Sequence, residues 1–81
     1  MKLGKSRAAA EDFRQAIAVD AAYAPSHFNL GVVYARELNR AKEAIEAFRK
    51  HIVYGGSRAS TAREWIRHLQ AQQAADADDG H

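Results

Sequence analysis

Four histidines, His27, His51, His68 and His81, are the side chains of this chain best suited to hold a transition metal. Zinc sites need three or four ligands at short spacings on neighbouring elements. These histidines fall on separate segments, with no His-x3-His pair and no acid at ligand spacing beside them. No metal is therefore expected, and His27 and His51 read as packing residues. Gly55-Gly56-Ser57-Arg58 precedes a helical stretch, and a helix start can hold an anion. A phosphate loop also needs Lys-Ser or Lys-Thr after its glycines, which this sequence lacks. A loop capped by Ser57 or Ser60 is the simpler reading. Glu11, Glu43, Glu46 and Glu64 alternate with Lys and Arg and read as solvated helix faces, not as acid–base pairs. Arg36, Arg40, Lys42, Arg49, Lys50, Arg58, Arg63 and Arg67 are numerous, but acids interrupt them and they occupy several faces. That pattern argues against nucleic acid as a partner. No catalytic residue and no cofactor is expected, and the chain does not read as an enzyme.

Composition supports that exclusion. With 81 residues the chain is one domain, and with no Cys it has neither disulfides nor thiolate ligands. Hydrophobic residues make up 47%, but 18 of the 81 residues are Ala, so the larger apolar side chains are few. A core so thin leaves no room for a deep, closed active site. Abundant Ala favours helices whose axes approach closely. The net charge of +2 conceals an asymmetry, because Asp76, Asp78 and Asp79 crowd the last six residues. There is no apolar leader behind the basic start and no stretch long enough to span a membrane. The chain reads as soluble, and its compartment is not encoded in the sequence, with a cytoplasmic location favoured over others.

Four segments carry helical periodicity. The first runs from about Ser6 to Val19, with Ala9, Phe13, Ala16 and Ile17 on its apolar stripe. The second runs from about Ala24 to Leu38 on Leu30, Gly31, Tyr34 and Leu38. Pro25 suits its first turn and Asn39 its end. The third spans about Arg40 to Tyr54 on Ala41, Ala44, Ile45, Phe48 and Ile52, and Gly55-Gly56 stops it. The fourth begins near Ser57 or Ser60 and uses Ala62, Trp65, Ile66, Leu69 and Gln73. Trp65 reads as its core anchor. No segment alternates as a half-buried strand does. The spacing therefore predicts an all-α chain of four helices, with residues 1–75 as a single domain. Its last helix occupies 57–74, and 76–81 form an acidic, disordered tail.

The chain also repeats itself. Ala9-Ala10-Glu11-Asp12-Phe13-Arg14-Gln15-Ala16-Ile17 aligns, 35 residues on, with Ala44-Ile45-Glu46-Ala47-Phe48-Arg49-Lys50-His51-Ile52. Such periods mark stacked helix pairs. Leu30-Gly31-x2-Tyr34 followed by Ala44-x3-Phe48 resembles the tetratricopeptide repeat. His27 stands where that pattern has a large aromatic residue, and Ala21 and Gly56 stand where it has Pro. One extra residue lies between Tyr34 and Asn39. The resemblance covers Ala9 to Gly56, about one and a half repeats, and the last helix is similar to a capping helix. It implies a short right-handed solenoid of antiparallel helix pairs, in which Gly31 and Ala44 let helices touch.

The resemblance also implies a function. First helices of such repeats line a concave groove for peptides or partner segments, which here assigns partner binding to Phe28, Asn29, Val32, Ala35 and Arg36. Phe28 and Val32 would give apolar contact. Asn29 would bond a peptide backbone, and Arg36 a carboxylate. The expected function is a non-catalytic protein–protein interaction module. The alternative is a structural subunit docked permanently in a larger complex through its open N-terminal end. A homo-oligomer or a larger assembly is expected in either case.

Overall fold

The computed structural model describes the backbone of residues 2–79 and the side chains of residues 4–75. Four helices account for nearly all of it: α1 (Lys2–Val19), α2 (Ala24–Arg36), α3 (Ala41–Val53) and α4 (Ala59–Asp79). The described residues contain no strand. Connections of four or five residues force each helix to turn back beside its predecessor. The substantial contacts are accordingly α1 on α2, α2 on α3 and α3 on α4. The result is a layer with extents of 43 × 32 × 16 Å. It is an all-α helical repeat, as the periodicity predicts.

Helix ends follow local chemistry. Pro25 occupies the first turn of α2, where a missing N–H breaks no helical bond. Beyond α2, Asn39 adopts φ 52° and the Arg40 N–H bonds back to the Tyr34 carbonyl at 2.8 Å. At the end of α3, Gly55 adopts φ 75°, with Gly56 N–H to His51 O at 2.9 Å and Gly55 N–H to Ile52 O at 3.0 Å. That bond pair around a left-handed residue satisfies the carbonyls left over at a helix end.

Two expectations need correction. The serines do not begin α4: the helix starts at Ala59, and the Arg58 carbonyl accepts its first bond from Ala62. Ser57 lies before that point and Ser60 after it. On α1, Ala10 is the residue sealed in the core, while Ala9 is half-buried and Ala16 exposed. The bounds of α4 reach into the 76–81 stretch, and Gly80 and His81 lie outside the described residues.

The core lies where α2 and α3 meet and continues under α4. Ala44, Phe48 and Ala62 are wholly inaccessible. A Cβ on Gly31 would stand 2.8 Å from Cε1 of Phe48, so only glycine lets α2 come this close. Phe48 also meets Phe28 edge-on at 5.4 Å and Trp65 face-to-face at 5.5 Å. Trp65 thus anchors α4, as its place on the apolar stripe suggests.

Candidate functional site

Phe28, Asn29, Val32 and Arg36 share one side of α2 because they recur at one-, three- and four-residue steps. The structure gathers these four at one depression of about 510 Å³. Phe13 of α1 and Thr61 and Trp65 of α4 face it from either side, and Arg58 lies at its edge. A second depression, of about 330 Å³, shares Phe28, Asn29 and Arg58 and adds Pro25 and Ser57. The two run together along α2.

The five residues implied by the resemblance do not behave alike. Asn29 and Arg36 are exposed and Val32 is half-buried. Phe28 is only 6% accessible. Its ring packs on Phe48 and on His51, 5.1 Å away, and the Arg58 guanidinium lies over it at 5.3 Å. It is the floor of the groove, not a projecting contact. Ala35 packs against the core and does not line the depression. Exposed apolar surface comes from Val32 and from the half-buried Trp65 instead.

Arg58, Thr61, Trp65 and Phe13 belong to this surface and are not among the residues read from the sequence. The 35-residue period holds the clue to one of them. It places Trp65 at the position of Leu30, on the helix that repeats α2. Arg58 reaches the site through a tight turn. A Cβ on Gly56 would overlap the His51 ring, so a glycine must sit there. His51 donates from Nδ1 to the Ala24 carbonyl at 2.8 Å, and its Nε2 accepts the Arg58 N–H at 3.3 Å. One buried imidazole, 2% accessible, thereby fixes the starts of α2 and α4 to α3.

The other side of α2 is differently built. Arg14, Ile17, His27, Leu30, Glu46 and Lys50 surround a smaller depression of about 240 Å³. Arg14 donates from Nε to the Tyr34 hydroxyl at 2.9 Å, and this bond holds its guanidinium above the ordinary Arg value. His27 is buried, hydrogen-bonds the Ala21 carbonyl through Nε2 at 2.7 Å, and stacks on Tyr54 at 5.3 Å. His27 and His51 therefore use their polar atoms inside the fold. Among the described residues no three His, Asp or Glu side chains gather as a metal set.

The architecture of α2 and α3 is mirrored in a known sequence family. Residues 24–52 match the family model of the tetratricopeptide repeat. This segment is similar to a tetratricopeptide repeat. The match begins where Pro25 opens α2 and ends one residue before α3 does, so the matched segment is one helix pair. Tetratricopeptide repeats generally mediate protein–protein interactions and are typically non-catalytic. Among the described residues no helix is long and apolar enough to cross a membrane. Neither curated proteins nor solved structures give a significant match.

Proposed function

We propose that the chain binds an extended partner segment along the α2 side that carries Asn29, Val32 and Arg36. The observation behind this reading is the depression of about 510 Å³ between α1, α2 and α4. It joins apolar surface from Val32 and Trp65 to an exposed amide and two guanidinium groups. The Asn29 amide can both donate to and accept from a peptide backbone. Arg36 and Arg58 favour a segment bearing a carboxylate, and Arg can grip that group with two parallel bonds. Burial of Phe28 supports the reading, because a rigid floor lowers the ordering cost of binding.

A random peptide display library selected against the intact chain tests this. Enriched sequences should be acidic, and their binding should weaken with salt. Arg36→Ala should reduce affinity by the equivalent of about 1–3 kcal/mol, the range for losing a charge-assisted hydrogen bond. Its melting temperature should hardly move. Lys42→Ala, on the exposed face of α3, should leave affinity unchanged. Selected peptides indifferent to Arg36→Ala, or a large loss of helicity in that variant, would refute the assignment.

A further inference from the structure

Where α2 passes into α3, a depression of about 370 Å³ is ringed by Arg7, Glu11 and Arg14 of α1 and by Arg40 of the connection. Ala10 and Leu38 complete its wall. Arg7, Glu11 and Arg14 share one stripe of α1, because they lie four and three residues apart. Three guanidinium groups thus border one space that a single carboxylate shares. Tyr34 positions two of the three. Its hydroxyl accepts from Nε of Arg14 at 2.9 Å and from Nη2 as well. Its carbonyl accepts the Arg40 N–H at 2.8 Å, across the left-handed Asn39. Tyr34 is itself buried, so both anchors rest on the core.

We propose that this depression binds a phosphate group, carried on a phosphorylated side chain or free in solution. The site shares no residue with the groove beside α2, and it stands or falls separately from that reading.

Charge gives the first argument. Glu11 stands 3.6 Å from Arg14 and Glu43 3.9 Å from Arg40, both beyond hydrogen-bond length. Among the described residues Arg7 makes no hydrogen bond or ion pair. Three arginines against one glutamate leave two positive charges at the depression, which a phosphate dianion balances. Shape gives the second. Each guanidinium is a planar fork of N–H donors that matches phosphate oxygens. Forks on different sides of one space can share the oxygens of a tetrahedral group. A carboxylate has two oxygens and leaves one arginine unpaired, and Glu11 already places one there. Anchoring adds the third argument. Arg14 and the Arg40 backbone are held before anything binds, which lowers the ordering cost.

The test titrates the intact chain with three probes at constant ionic strength: inorganic phosphate, and phosphoserine and glutamate blocked at both ends. Nitrogen-15 NMR follows the Nε–H resonances of the arginines. Both phosphate compounds should move Arg7, Arg14 and Arg40, and glutamate should bind about threefold to tenfold more weakly. Phosphoserine tighter than inorganic phosphate assigns the site to a phosphorylated side chain, and equal affinities assign it to the free anion. Arg7→Gln and Arg40→Gln should each weaken phosphate binding by about threefold to tenfold. Both positions are exposed, so the melting temperature should hardly move. Glu11→Gln should act in the opposite direction and tighten binding, because it removes the competing carboxylate. Arg36→Gln deletes the same charge as Arg40→Gln but lies in the groove, and it should change nothing. Equal losses from those two variants would reduce the effect to net charge and overturn the proposal. Glutamate bound as tightly as phosphoserine would overturn it too, as would arginine resonances that neither phosphate compound moves.

Discussion

Helices α1 and α3 share Ala, Glu, Phe, Arg and Ile at matching places, yet the structure holds them differently. Phe48 is wholly enclosed by Gly31, Phe28 and Trp65, while Phe13 keeps part of its ring exposed. His51 bonds to the starts of two helices, while its counterpart Ala16 stands in solvent. α3 has a neighbour on each side, but α1 has one. The local sequence sets the helix and its apolar stripe. How deeply that stripe is buried depends on what lies across from it. Equal residues in equal helices therefore carry unequal shares of the stability, and that inequality can be measured.

The largest contrast should come from the paired phenylalanines. Phe48→Ala empties the centre of the repeat and should cost about 3–5 kcal/mol. A chain this small has little more than that in total, so the variant should be unfolded at 25 °C by circular dichroism. Phe13→Ala should cost about 1–2 kcal/mol, in line with its partial burial, and should still melt cooperatively. Equal losses would break the comparison.

Glycines give a smaller contrast with opposite signs. Gly31→Leu must displace a buried ring and should destabilise by about 1–3 kcal/mol in urea unfolding. Gly4, in α1, has nothing within 4 Å of a Cβ. Gly4→Ala should therefore stabilise by up to about 1 kcal/mol through helix propensity. If both changes moved the urea midpoint in the same direction, the packing assigned to Gly31 would be wrong. The smallest effect belongs to Ala16→Arg. Its position is exposed, and the melt should stay within about 0.5 kcal/mol of the parent.

Much of this fold is legible in the sequence because its signals are local. The 3.6-residue stripes give four helices, and Asn39 and Gly55 mark the ends they in fact form. Leu30, Gly31, Tyr34, Ala44 and Phe48 carry the resemblance to the tetratricopeptide repeat through their types and spacing. What stays hidden depends on through-space neighbours. Ala9, Ala10 and Ala16 look interchangeable, and only the approach of α2 selects Ala10 for burial. The helix-cap preference of serine points to Ser57 or Ser60, but the turn around the His51 ring sets the start of α4 at Ala59. The depression beside α2 is read in part. Asn29, Val32 and Arg36 follow from the face of one helix. Arg58 and Thr61 reach the same place through a turn and a second helix that no spacing within α2 reveals. Phe28 is expected to give apolar contact, and what spacing within α2 does not reveal is that its ring packs inward on Phe48 and His51.

The stack of Trp65 on Phe48 has a practical consequence. Trp65 is the only tryptophan in the chain. Its indole has one face against the core, with planes inclined by 13°, and an edge on the depression beside α2. Its emission therefore monitors two events in an unlabelled protein. Detachment of α4 moves the indole into water and shifts its spectrum to the red. A segment settling beside Val32 shields its outer edge and shifts the spectrum to the blue. The chain thus carries its own optical gauge, and the sign of the signal tells melting from occupancy.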